Sequence, residues 1–247
     1  MMKNSLLMAY KIIPALFCLL LLSSCNDWFN LKSITGSGNV ITENRKIDEN
    51  FVGIDVSNGI DVIVKHGDNF EVIVEADDNL QDEITTTVKN GILVIDCEYN
   101  SFLDVSSKKV IVTMPKIEQL ESSSASSITS EMTLKTNAID ISSSSGSSVD
   151  LKINADKLTC KASSGSDITL RGLALELEAK ASSGSDIEAK DMAANKVIAR
   201  SSSGSSIEVN PIVELQANAS SGSSINYLKT PKKISRESSS GASIGLN

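Results

Sequence analysis

Ala162-Ser163-Ser164-Gly165-Ser166-Asp167-Ile168 returns 19 residues later as Ala181-Ser182-Ser183-Gly184-Ser185-Asp186-Ile187. The same serine-rich core recurs with its central Gly, once Ala, at Ala125, Gly146, Gly165, Gly184, Gly204, Gly222 and Gly241. Seven copies spaced 18 to 21 residues apart define a solenoid in which each copy makes one coil.

The columns of the repeat say which solenoid it is. Three residues after the Gly stand Ile128, Val149, Ile168, Ile187, Ile207, Ile225 and Ile244, and two further on Leu151, Leu170, Ala189, Val209, Tyr227 and Leu246. Seven before it stand Ile139, Leu158, Leu177, Val197, Leu215 and Ile234, and five before it Leu120, Ile141, Cys160, Ala179, Ala199 and Ala217. Alternate residues face inward on both sides of the Gly, which is β periodicity and excludes helical repeats. The expected fold is all-β: a right-handed parallel β-helix of about 19–20 residues per coil, two short strands to a coil, rising about 4.8 Å per coil.

Composition agrees with a narrow, layered interior. The 247 residues hold 41 serines but only 5 Phe, 3 Tyr and 1 Trp, too few aromatics for a conventional core of this size. Ser occupies both positions before the Gly in every copy, as in Ser123-Ser124 and Ser239-Ser240. These two columns are expected to form a hydroxyl ladder at a corner. Read instead as an outward array for glycan or ice, they lack the aromatics and threonines such surfaces use. The net charge of −8 lacks the basic excess that phosphate binding requires, which argues against nucleic acid.

Residues 36–115 read as an irregular β region, either continuous with or packed on the repeat coils of 116–247. Its strands are expected at 51–56, 60–65, 70–75, 84–88, 92–96 and 109–114. Ser57-Asn58-Gly59, Gly67-Asp68-Asn69 and Asn90-Gly91 supply the tight turns between them. No helix of useful length is expected.

Lys3 and Lys11 precede an apolar run, Ile12 to Leu22. As a helix its eleven residues would rise about 16 Å, half a bilayer core, so it reads as a secretory signal and not a span. Leu22-Ser23-Ser24-Cys25 resembles the bacterial lipobox, which implies removal of residues 1–24 and lipidation of Cys25, with 26–35 as linker. The mature chain would keep 223 residues at a net charge of −10. Only Cys97 and Cys160 would remain as thiols, too few for a disulfide framework, and no CxxC spacing offers a metal or redox motif.

Few residues qualify as a site. Lys161, Lys180 and Arg200 stack four before the Gly, flanked by Ser142 and Asn218, and form the best candidate ligand-contact stripe. Asp167 and Asp186 stand in only two of seven copies and read as solvated turn acids, without the pattern of calcium-binding repeats. Cys160 lies in an inward column and is expected to be a buried, inert thiol. His66, the one His, sits in a predicted turn. No catalytic, cofactor or metal constellation is expected, although polysaccharide-active enzymes share β-helix architecture. Arg236 breaks the inward column at the last copy, as a water-exposed cap would.

Phe51-Val52-Gly53-Ile54-Asp55-Val56-Ser57-Asn58-Gly59-Ile60-Asp61-Val62, then Val72-Ile73-Val74-Glu75-Ala76-Asp77-Asp78-Asn79-Leu80 and the Ser-Gly-Ser repeats, resemble the head-GIN family of autotransporter-adhesin-like lipoproteins of Bacteroidetes-type bacteria. The resemblance spans 36–247, with Gly59-Ile60-Asp61 where the family triplet ends in Asn. It implies a β-helical domain of the cell envelope, held to the outer membrane by its lipid, with no catalytic residue to carry over. Three functions follow as expectations: an adhesin or binder of a glycan or protein ligand, an envelope scaffold, or a polysaccharide-active enzyme. Asp27 is the one acid close after Cys25, so the sequence does not decide between surface display and a periplasmic face.

Overall fold

The computed structural model describes residues 32–247; the signal segment and Cys25 lie outside the described residues. Apart from one 3-10 turn at Asp78–Leu80, its regular structure is all strand. Nine strands precede the repeats: β1 (Ser33–Thr35), β2 (Val40–Arg45), β3 (Gly53–Val56), β4 (Asp61–His66), β5 (Glu71–Asp77), β6 (Ile84–Lys89), β7 (Ile92–Cys97), β8 (Ser101–Leu103) and β9 (Lys108–Met114). The repeats form β10 (Gln119–Ser122), β11 (Ser127–Thr129), β12 (Leu134–Ser143), β13 (Ser148–Ala162), β14 (Asp167–Ala181), β15 (Asp186–Ser201), β16 (Ser206–Ala219), β17 (Ser224–Tyr227), β18 (Lys233–Ser238) and β19 (Ser243–Leu246).

Successive coils pair in parallel and keep the repeat columns in register. Leu158 stacks on Leu177, Val197 and Leu215, and Ile168 on Ile187 and Ile207, all buried. The interior is thus a stack of Ile, Leu, Val and Ala layers, each closed above and below by its own repeat. The two expected strands of a coil are joined into one. In β13, Val149 to Ala155 alternate inward, Asp156 and Lys157 both turn out, and Leu158 to Ala162 alternate inward again. Pairing lapses at Asp156 alone and resumes at Lys157, because the neighbouring coil bends at the same place.

At the opposite corner the backbone reverses through two consecutive residues of positive φ, such as Ser183 (56°) and Gly184 (69°). The N–H of the residue after the Gly donates back to the carbonyl two before it, as Ser205 does to Ser202 at 3.3 Å, the signature of a type I′ turn. The Gly N–H donates to the next coil's turn, as Gly165 does to Ser183 O at 3.1 Å. Nothing lies within 4 Å of where a Cβ on Gly184 would stand. The glycine is therefore required by its torsion and not by crowding. Gly184→Val is expected to cost about 1–3 kcal/mol, and Gly184→Asn much less. Matching urea midpoints for Gly184→Val and parent would contradict this reading of the corner.

The hydroxyl ladder runs along a different column from the one expected. The serine just before the Gly is exposed, and the one before that is half-buried. The buried serines are those one after the Gly, Ser126 to Ser223, and those three before it at Ser122, Ser143 and Ser201, and from Ser147 onward the former are hydrogen-bonded. Ser166 Oγ accepts from Ser163 N–H at 3.1 Å and donates to Ser143 O, one coil back, at 2.7 Å. Ser147, Ser185 and Ser223 repeat the arrangement on Ser122, Ala162 and Ser201. The tight turn aims only this side chain inward, where an unpaired hydroxyl would be costly and the carbonyls of the preceding coil are within reach.

The solenoid also extends into the N-terminal region. β3 stacks on β10 and β4 on β11, both parallel, and Asn58 (φ 59°) with Gly59 (φ 70°) forms the same corner between them. Gly59 N–H donates to Ser124 O at 2.9 Å. β7 and β9 add a further parallel layer on β3 and β4. Beyond them β6, β5 and β2 pair antiparallel and close that end. At the other end β18 is exposed throughout, and Arg236 Nη1 donates to Tyr227 Oη at 3.1 Å, crossing the last layer as the expected cap.

Candidate functional site

The stripe of basic residues is made by register. Position four before the Gly points out between two inward small residues, Cys160 and Ala162 in β13, Ala179 and Ala181 in β14, Ala199 and Ser201 in β15. Parallel pairing then places Ser142, Lys161, Lys180, Arg200, Asn218 and Glu237 side by side along the solenoid axis. Neighbours are about 4.8 Å apart, the spacing of paired strands.

The half-buried serines Ser163, Ser182, Ser202 and Ser220 run alongside, two residues nearer the corner. Together with Lys161, Lys180, Arg200 and Asn218 they line a groove of about 440 Å³. Its donors are three cations, an amide and a row of hydroxyls, on a backbone fixed by ladder bonds on both sides.

Glu178, which sequence reasoning missed, sets the charge of this groove. Its Oε1 lies 2.8 Å from both Lys180 Nζ and Arg200 Nη1. The hydrogen bond from Lys180 and the charges of Lys180 and Arg200 outweigh the effect of burial and hold the Glu178 carboxyl below its ordinary range. Lys161, exposed, has no ion-pair partner among the described residues, so it is the cation most available to a ligand. At the far end Asn218 Nδ2 donates to Glu237 Oε2 at 3.2 Å, and the stripe ends in negative charge. The pairing of Glu178 with the stripe was available in principle, since position six before the Gly faces out beside position four.

Across the corner the sign reverses. Asp167, Asp186, Glu188 and Glu208 line a second groove of about 540 Å³, with Lys190 Nζ 2.5 Å from Glu188 and 3.5 Å from Glu208. Burial first, then Asp167 and Glu208, push the Asp186 carboxyl upward. Asp167 and Asp186 are exposed first residues of strands and not members of the turn. Among the described residues no three His, Cys, Asp or Glu stand together as metal ligands. His66 is the exposed last residue of β4 and not part of a turn. Cys160 and Cys97 are buried free thiols, and burial pushes Cys160 up to about 12, which leaves it without nucleophilic thiolate near neutral pH.

Solved structures share this architecture. A protein of Bacteroides fragilis described as a putative adhesin matches with a TM-score of 0.80 at 22% identity, over 87% of this chain and 100% of its own. One of Parabacteroides distasonis described as a putative lipid binding protein matches at 0.71 and 23%, over 87% and 100%. A further putative adhesin, of Parabacteroides merdae, matches at 0.70 and 17%, over 87% and 99%. Comparison with curated proteins finds no match. Residues 50–231 match the family described as "Putative auto-transporter adhesin, head GIN domain", and the chain belongs to that family.

Proposed function

We propose that the chain is a cell-envelope protein, held to the outer membrane by acyl chains on Cys25, whose solenoid flank binds a ligand without catalysing a reaction on it. The groove along Lys161, Lys180, Arg200 and Asn218 is the observation that carries the binding half. Its donors repeat along the axis at the strand spacing. It therefore suits an extended anionic ligand lying across successive coils, such as a glycan bearing carboxylate or sulfate groups, and the family's adhesin description supports this reading. The lipobox-like Leu22-Ser23-Ser24-Cys25 supports the anchor.

An array of anionic and neutral glycans probed with residues 32–247 tests the groove. Binding to anionic members is expected, weakened on the order of tenfold, or about 1.4 kcal/mol, by Lys161→Glu with Lys180→Glu. A bare array, or binding indifferent to those substitutions, would sink the groove as the site. Protease added to intact cells reports on display: cleavage of the domain supports an adhesin, and protection supports a periplasmic scaffold.

A further inference from the structure

The bend edge, opposite the serine corner, carries six of the eight large exposed apolar residues of the repeat coils, the other two, Ile234 and Leu246, belonging to the last coil. Met132, Leu173, Leu175, Ile212, Val213 and Leu228 all lie where coils bend. Leu173 and Leu175 are 59% and 55% exposed. With Ile212 they frame a groove of about 620 Å³ over Ala155, Ala174 and Ala193. From the coil of Met132 to that of Leu228 the edge runs five coil steps, about 24 Å.

Its charge is opposite to that of the rest of the molecule. Segments 130–136, 152–157, 171–176, 190–196, 210–214 and 228–233 hold nine Lys or Arg against five Asp or Glu. The remainder from residue 32 onward holds twelve against 25. Arg171, Lys190 and Lys196 are occupied by Asp150, Glu188 and Glu176. Lys135, Lys152, Lys157, Lys229, Lys232 and Lys233 are exposed, with no ion-pair partner among the described residues.

We infer that this edge docks on the surface of an anionic lipid bilayer, its leucines and isoleucine entering the headgroup boundary while the lysines meet the phosphates. A single line of apolar side chains flanked by flexible cations is the pattern that binds such an interface. A second copy fits worse, because joining two such edges would bring their lysines together. The inference does not depend on the acyl anchor or on the glycan groove.

Residues 32–247 suffice for the test, since 87% of this chain matches a solved chain over that chain's whole length. Co-sedimentation with vesicles of phosphatidylethanolamine and phosphatidylglycerol is expected, with much weaker partition onto phosphatidylcholine. Leu173→Asp with Leu175→Asp and Ile212→Asp should abolish it without lowering the melting temperature. Lys229→Glu, Lys232→Glu and Lys233→Glu should each reduce it by about fivefold or more. Lys161→Glu with Lys180→Glu should leave it unchanged, so a failed glycan array and a failed vesicle assay are separate results. No partition, equal partition onto both vesicles, or partition unaffected by the three aspartates overturns the inference. So does a dimer in sedimentation velocity that the aspartates convert to monomer, which would give the edge to a second copy.

Discussion

Leu177→Ala should lower the unfolding free energy by about 2–5 kcal/mol, while Glu176→Ala, one residue away, leaves the urea midpoint nearly unchanged. Leu177 is wholly buried between Leu158 and Val197, in the column seven before the Gly. The ladders on either side hold both neighbouring coils at the strand spacing, so the layer has little freedom to collapse onto the vacated volume. The loss should also broaden the transition, because each coil is held only by its neighbours and a weak layer uncouples the array. Equal midpoints for the two variants would mean that the inward column is misassigned.

Asp77→Ala should cost about 3 kcal/mol or more, because it strands three backbone donors that the buried carboxylate satisfies. Asp77 Oδ1 accepts from Ser106 N–H at 3.0 Å and Ser107 N–H at 2.9 Å, and Oδ2 from Gly38 N–H at 2.9 Å. It thereby ties the segment before β2 and the loop before β9 to the antiparallel end of the solenoid. Burial alone would raise this carboxyl; the donors of Gly38, Ser107 and Ser106 outweigh it and hold it below the ordinary range. A depressed folded value means that the stabilisation is complete above the unfolded value of about 3.9 and is lost as pH falls through the folded one. The stability gap between parent and Asp77→Asn, measured by denaturant titration, should therefore narrow on acidification below about pH 4. A gap independent of pH would show that folding leaves the Asp77 pKa unchanged, and one that widens on acidification would show a carboxyl that is neutral in the folded chain.

The coil architecture was legible because the repeat fixes every inward position six or seven times over, and the structure buries those columns as read except in the last coil, where Ile234 and Leu246 are exposed because no further coil covers them. The serines were harder. Positions three, two and one before the Gly and one after it are Ser or Ala throughout, so residue type alone could not say which hydroxyl points inward. The pair of positive φ values at the turn decides it, and those belong to the backbone. Asn58-Gly59 makes the tight turn expected of it, but that turn does not fix which strands pair. Its strands instead pair with β10 and β11, some 65 residues on, because the chain leaves the stack after β4 to build the cap and then returns.

The stripe of Lys161, Lys180 and Arg200 was legible as a column, and the structure aligns it along one groove. Its partial neutralisation was harder to read, since Glu178 stands in one coil only and belongs to a neighbouring outward column. The apolar bend edge is not legible as a column for a related reason. Its residues differ from coil to coil, Asp156 and Lys157 in one and Leu173 and Leu175 in the next, and no column repeats there.

Residues one repeat apart stand side by side, so that the coil array itself assembles the stripe. Disulfide trapping of paired cysteine variants tests it most directly. Lys161→Cys with Lys180→Cys places two outward thiols on paired strands about 4.8 Å apart, within the Cα span of a disulfide, whereas Lys161→Cys with Arg200→Cys places them two coils apart, beyond it. Mild oxidation of the folded chain should crosslink the first pair and leave the second as free thiols by mass spectrometry. No crosslink in the first pair, or equal yields in both, would contradict the coil-on-coil register on which the groove depends.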